Sequence, residues 1–408
     1  MHEARSIKDW FEVRDERDAL TLLLLGFALC LPISISVAQP FAYLAIPVWI
    51  LWLKKGVDRP FRSPFLWPVV LFVLLMLFAA LMGPRPEFTI PRSRRLLLLS
   101  VIFMMGLVFE PRAEDPRRSL IAPLLMFVVG ASILGIWDLV RVPIQVAQGI
   151  GLYDAGNMRD PQLYLVSACI ILALWIYRPV HIPPRLLSVM IGINVLGMVL
   201  HFKRGVWISF VLTAVLVAAL TRRYRILAAI LLGIVALCLV PQTRERIELL
   251  QEEIQEGTGG RRILWSEVAP DMIRDHPFGA GFRGLSHQDF VEYAAPMYLQ
   301  PGLNHLHNNV LQLAVDAGWL GSAVWVFWMA LTLVIMARLG RKYRRDDPVR
   351  ATVGLACLAA FIGLMLNGFV EYNFGNSVIF MVITFLIGLT NALHRSEIQP
   401  LPPAEPPS

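Results

Sequence analysis

Long apolar runs alternate with short polar breaks along almost the whole chain. They predict twelve membrane-spanning helices, at 20–37, 41–53, 64–82, 96–109, 120–139, 163–177, 186–202, 206–220, 226–240, 310–337, 351–370 and 377–393. A hydrocarbon core of about 30 Å takes about 20 helical residues to cross. Only helices and closed barrels satisfy their backbone groups in lipid. The second and fourth runs are the shortest. One interval breaks the rhythm, the polar stretch 241–304 between the ninth and tenth runs. Within it, 243–256 reads as an amphipathic helix with Ile247, Leu250 and Ile254 on one face. Glycines at 257, 259 and 260 end it. A second helix follows at 261–275, with Ile263, Leu264, Trp265, Val268 and Met272 for packing, and a short third at about 285–295. Between these two lies a turn-rich connector, His276-Pro277-Phe278-Gly279-Ala280-Gly281-Phe282. The reading is an all-α polytopic membrane protein. Spans 1–9 occupy residues 1–240, a helical cap 241–304, spans 10–12 residues 305–393, and a disordered proline-rich tail 394–408.

Composition excludes a soluble domain: of 408 residues, 56% are hydrophobic and only 16% charged, with a mean hydropathy of +0.60. Cys30, Cys169, Cys238 and Cys357 all fall inside expected spans, and none has metal-ligand spacing or a place in a loop disulfide. The net charge of +7 gains meaning only when divided by side. With the N-terminus inside, 23 of the 37 Lys and Arg residues fall on inner segments and 14 on outer ones. The positive-inside rule favours this orientation, with both termini cytoplasmic and 241–304 on the outer face. No nucleic-acid partner is expected.

Candidate chemistry concentrates where the outer segment re-enters the tenth run, in Pro301-Gly302-Leu303-Asn304-His305-Leu306-His307-Asn308-Asn309-Val310-Leu311-Gln312. Asn304 is the expected N-cap. Asn304, Asn308, Gln312 and Asp316 then recur every four residues along one helix face. A polar stripe entering lipid must face protein or a watery cavity. Two histidines at its mouth suit proton handling; the plainer alternative is a polar helix end in the headgroup layer. Basic residues on outer turns run against the topology rule. They are Arg85, Arg92, Arg94 and Arg95 in one loop, Lys203-Arg204 in a short turn, and Arg261-Arg262 after the glycines. Binding of an anionic lipid headgroup or diphosphate would offset that cost, since guanidinium grips phosphate oxygens in pairs. Ordinary snorkelling is the alternative. Asp138, His201 and Glu371 are the ionisable groups that come near spans, each close to an end.

Several of these runs together resemble the O-antigen ligase and polymerase superfamily of bacterial envelope glycosyltransferases. They are Lys203-Arg204-Gly205-Val206-Trp207, Arg261-Arg262-Ile263-Leu264-Trp265, Asp275 to Phe282, His305 to Gln312, and Gly318-Trp319-Leu320-Gly321. Length and layout look most like an O-antigen ligase. The resemblance implies an inner-membrane enzyme whose active site is periplasmic. It would move a glycan from undecaprenyl diphosphate onto a sugar hydroxyl of lipid A–core during lipopolysaccharide assembly. It implies catalytic roles for His307, Arg204 and either Arg261 or Arg262, with His305 a second candidate. An imidazole, whose unperturbed pKa is about 6.5, suits the base that takes the acceptor proton. Arginines suit the departing diphosphate. Lys203, Arg204, Arg85, Arg92, Arg94 and Arg95 are the expected diphosphate ligands. No outer Asp-x-Asp is present, so the expectation is a single inverting displacement with no metal and no cofactor. An O-antigen polymerase or protein O-oligosaccharyltransferase would use similar donors. A lipid-linked glycan flippase is the rival from another class, but no repeat relates the two halves.

Overall fold

The computed structural model describes residues 12–55, 63–111, 115–151, 155–239, 241, 261–293 and 303–398. The expected helix at 243–256, the Pro301-Gly302 turn, the side chain of Arg262 and the tail beyond 398 lie outside the described residues. Among the described residues the chain is all-helical, and a single isolated bridge joins Glu110 and Ser119.

The first part of the chain forms α1 (Glu16–Ile33), α2 (Ile35–Lys54), α3 (Leu66–Met82), α4 (Pro86–Ser93), α5 (Ser100–Val108), α6 (Ile121–Ala147), α7 (Asp160–Tyr177), α8 (Pro184–Leu200), α9 (Arg204–Thr221) and α10 (Tyr224–Cys238). Next comes α11, which runs unbroken through Arg261–Ile263, a π-helical turn at Leu264–Val268 and Ala269–Asp275. The rest is α12 (His287–Tyr293), α13 (Asn309–Lys342), α14 (Pro348–Gly368) and α15 (Ser377–Ile398). Seven of these are long and apolar enough to cross a membrane: α2, α6, α7, α9, α13, α14 and α15. Leu66–Met82 and Pro184–Leu200 are shorter apolar helices. The run expected at 96–109 is not one α-helix. It is a 3-10 stretch, Arg94–Leu99, followed by α5. The larger 3-10 rise stretches residues 94–108 to about 26 Å, close to the hydrocarbon thickness.

Burial sorts the helices into centre and rim. In their most apolar windows α15 is 89% buried, α7 78% and α14 72%, whereas α2 is 22% and α9 33% buried. Leu44 on α2, Leu74 on α3 and Leu212 on α9 stand open. Such apolar outer faces suit lipid and not water.

Polar contacts gather at the two ends of the bundle. At one end Arg17 pairs with Glu110, Arg118 lies 2.6 Å from Asp18, and Arg395 donates to the Gly106 carbonyl at 3.0 Å. At the other, Arg85 meets Asp289 at 2.9 Å, Arg95 donates to the Gly375 carbonyl at 3.1 Å, and Asn308 donates to that of Phe369 at 3.0 Å.

The helix expected at 310–337 begins at Asn309 and breaks at Gly318, whose φ is 72° and ψ 169°. That backbone region is open essentially to glycine alone. A break leaves helix carbonyls without partners, and the glycine-rich connector supplies them. The Ala280 amide donates to the Val315 carbonyl at 2.8 Å, and the Gly281 amide to that of Asp316 at 2.9 Å. The two backbones touch, and a Cβ on Gly318 would fall 2.6 Å from the Pro277 oxygen. We expect Gly318→Ala to cost about 1–3 kcal/mol from strain alone, with the contact adding to it. Thermal unfolding of the purified protein in detergent checks this; an unchanged midpoint would mean that the loop moves aside freely.

Candidate active site

The sequence around the break builds a polar centre. Residues 303–307 are not helical, and His307 takes φ 50°, in the left-handed region. The helix therefore cannot begin at Asn304. Asn308 caps it instead, its side chain accepting from the Val310 amide at 2.9 Å and the Leu311 amide at 3.1 Å. The remaining stripe holds the preceding segment. Gln312 accepts from the Leu306 amide at 2.8 Å and donates to Asp316 at 2.8 Å. The Tyr372 hydroxyl donates to the other Asp316 oxygen at 2.7 Å.

Asn309 ties this helix start to the loop between α14 and α15. It donates to Asn373 Oδ1 at 2.6 Å and accepts from the Phe374 amide at 3.0 Å. That clamp sets Glu371 opposite the histidines. Glu371 Oε1 lies 3.2 Å from His305 Nε2 and 3.3 Å from His307 Nδ1, and the two imidazole centroids are 4.3 Å apart. Burial disfavours the charged form of Glu371, yet its hydrogen bonds to His305 and His307 outweigh that and hold the carboxyl well below its ordinary 4.5. A carboxylate only accepts, so Nδ1 of His307 donates to it. The ring's lone pair then sits on Nε2. A carboxylate that orients an imidazole in this way prepares a base.

The structure brings Arg204 and Arg261 toward the same end. Arg204 opens α9, and a Cβ on the next residue, Gly205, would lie 3.2 Å from both Asn367 Nδ2 and Val370 Cγ2. Val370 immediately precedes Glu371. Arg261 opens α11, one turn before Trp265, whose indole donates to the Leu306 carbonyl at 2.6 Å. Leu306 lies between the two histidines. Lys203 stands just before α9 and is half-buried.

The four arginines at 85–95 do not act as one patch. Arg85 is engaged by Asp289, Arg92 donates to the Arg283 carbonyl, and Arg94 is exposed. Arg95 is buried, its guanidinium 4.0 Å from the Phe282 ring centroid and 5.1 Å from that of Phe380. The expected headgroup surface is thus divided by packing, because apolar neighbours draw Arg95 inward as a cation–π partner.

Sequence reading placed Glu371 only near a helix end, and did not single out Tyr372 or Arg283, which stacks 5.9 Å from the Tyr372 ring centroid. The available signal was a lone acid following a long apolar run. A second buried cluster, around His201, fixes the turn that leads to Arg204. His201 Nδ1 accepts from the Asn157 amide at 3.0 Å, so its Nε2 donates to Asp138 at 2.8 Å. Tyr164 donates to the same Asp138 oxygen at 2.6 Å.

Fold and site define a helical membrane protein with a polar centre at one end of its bundle. Residues 186–326 match the family model described as O-antigen ligase. The matched segment runs from α8 into α13 and includes Arg204, Arg261, Arg262, His305 and His307. Glu371 lies beyond it. No curated protein matches the chain.

Proposed function

We propose that the protein is an O-antigen ligase of the bacterial inner membrane. It transfers a glycan from undecaprenyl diphosphate to a sugar hydroxyl of lipid A–core on the periplasmic side. The observation that carries this reading is the His307–Glu371 pair, set at the bundle end where Arg204 and Arg261 also arrive. In this reading the chain crosses the membrane twelve times with both termini cytoplasmic, and 241–304 forms a periplasmic cap.

The chemistry follows from the parts. His307 Nε2 takes the proton of the acceptor hydroxyl as its oxygen attacks the anomeric carbon. The bond to the diphosphate oxygen breaks from the opposite face, so configuration inverts. Arg204 and Arg261 or Arg262 stabilise the charge gathering on undecaprenyl diphosphate. In this reading Lys203 and Arg204 hold the resting donor. No metal is assigned to the reaction, since guanidinium groups can neutralise a leaving diphosphate.

The test is purified protein with a lipid-diphosphate glycan and lipid A–core, with the product separated by size. Glycan joined to lipid A–core supports the ligase; glycan lengthened on its own carrier would make it a polymerase. Arg204→Ala should lower donor kcat/KM by about 10²-fold, the scale of one lost electrostatic stabiliser. Unchanged donor kinetics would remove that role.

A further inference from the structure

We propose that His305, His307 and Glu371 form a transition-metal site of the zinc class, and that occupancy by the ion shuts the transfer off. The inhibitory half rests on His307 acting as the base; the binding half stands on geometry alone. The three ligand atoms lie within 4.8 Å of one another. Two edges of that triangle are measured, at 3.2 Å from Glu371 to His305 Nε2 and 3.3 Å from Glu371 to His307 Nδ1. Zinc bonds imidazole nitrogen at about 2.0–2.1 Å and carboxylate oxygen at about 2.0–2.2 Å. Around a tetrahedral ion those lengths separate the ligand atoms by about 3.3–3.5 Å. The two edges thus fit an ion with shifts of a few tenths of an ångström.

The surroundings favour the same ligand set. The Asn304 side-chain oxygen lies 3.0 Å from His305 Nδ1, on the far side of the ring. The Tyr372 amide donates to Glu371 Oε1 at 3.2 Å. Outer contacts of this kind orient metal ligands. The histidine side chains are 22% and 18% exposed, so an ion can reach them. Two imidazoles and one carboxylate select zinc, cobalt or nickel over magnesium and calcium, which take mostly oxygen ligands. Three protein ligands leave a fourth position for water. The Asp138–Asp160–His201 group lacks this capacity. Arg141 lies 2.7 Å from Asp138, Arg159 is paired with Asp160, and His201 Nδ1 already accepts from the Asn157 amide.

The ion and the proton compete for one place. With a proton on Nδ1 of His307, the lone pair is on Nε2 and points away from Glu371. With a metal on Nδ1, the neutral ring must carry its proton on Nε2. The atom that would accept the hydroxyl proton is then already protonated, and the carboxylate that oriented the ring is engaged by the ion. Zinc therefore blocks the base by fixing the wrong tautomer, while magnesium does not.

The experiment uses full-length protein in lipid nanodiscs, stripped with chelator. Cobalt is titrated as the spectroscopic probe, followed by zinc. One cobalt per chain should give the intense visible absorption of a four-coordinate ion, displaced by zinc and unaffected by excess magnesium. Zinc should raise the unfolding temperature of the unmodified protein, since an ion bound only to the folded state stabilises it. His305→Gln, His307→Gln and Glu371→Gln should each weaken cobalt binding by at least about 10-fold, the low end for lost metal-site contacts. Absence of the cobalt spectrum and of any zinc-induced thermal shift overturns the site, as does binding that survives all three substitutions. Zinc that binds with this signature but leaves transfer at full rate overturns the inhibition and His307 as base, while the site stands. Absence of transfer in metal-free protein rejects the ligase reading, and the cobalt titration still decides the site.

Discussion

Replacing His307 with alanine removes glycan transfer while the protein still accumulates in the membrane. A positioned general base contributes about 10²–10⁴-fold to rate, so kcat should fall by that order. The effect on the fold should be smaller. His307 sits in the non-helical segment before α13, and that segment is held by Gln312 at the Leu306 amide and Trp265 at the Leu306 carbonyl. Neither bond involves the imidazole. Alanine is also a poor substitute at φ 50°, so His307→Asn, which tolerates that backbone better, serves as the control. Single-turnover transfer measures the loss. Near-normal rates in both variants would remove His307 as the base.

Glu371→Gln is expected to have the next largest effect, a fall of about 10²–10⁴-fold in kcat with little change in protein yield. A carboxylate permits one tautomer, in which Nδ1 carries the proton. An amide permits both, because its NH2 group can donate to Nδ1 and turn the lone pair away from the acceptor. The loss from a wrong tautomer at such a pair reaches about 10⁴-fold in a serine protease. The pH profile gives a second readout. Glu371 is held below its ordinary 4.5 by hydrogen bonds that outweigh burial. A depressed carboxyl lends its stability above the unfolded value and loses it only as pH falls through the lower folded value. Its charge is therefore intact throughout the neutral range. The tautomer loss in Glu371→Gln should therefore lower the whole profile and not one limb of it. A profile that keeps its height, with kcat near normal, would show that the carboxylate does not act on the base.

Periodicity and composition were enough for the class. Apolar runs of near-span length, a polar interval between 241 and 304, and the imbalance of basic residues are local or additive signals, and each survives without knowledge of contacts. The same holds for α11 and the connector at 276–282, where glycine marks backbone freedom on its own. The motif His305-x-His307 was legible because two histidines beside three asparagines cannot sit cheaply in lipid. The helix start was misplaced by four residues, because Asn304 and Asn308 are equally good caps by composition. Only the left-handed turn at His307 decides between them.

Tertiary structure alone decided the partnerships. Glu371 is 64 residues from His307 along the chain, and nothing local in 365–376 tells an acid facing a histidine from one facing solvent. The arginines at 85–95 read as one basic loop, yet Arg95 turns inward onto Phe282 and Phe380 while Arg85 is taken by Asp289. Gly318 carried no hint that its helix breaks, since glycine is common in membrane helices; the break exists because Ala280 and Gly281 supply the lost amide donors from another segment. The sequence by itself determined that the chain is built of apolar helices and which residues can do chemistry, because those properties depend on side-chain type and spacing. Which of those residues meet depended on how the helices pack, and packing is a property of the whole bundle.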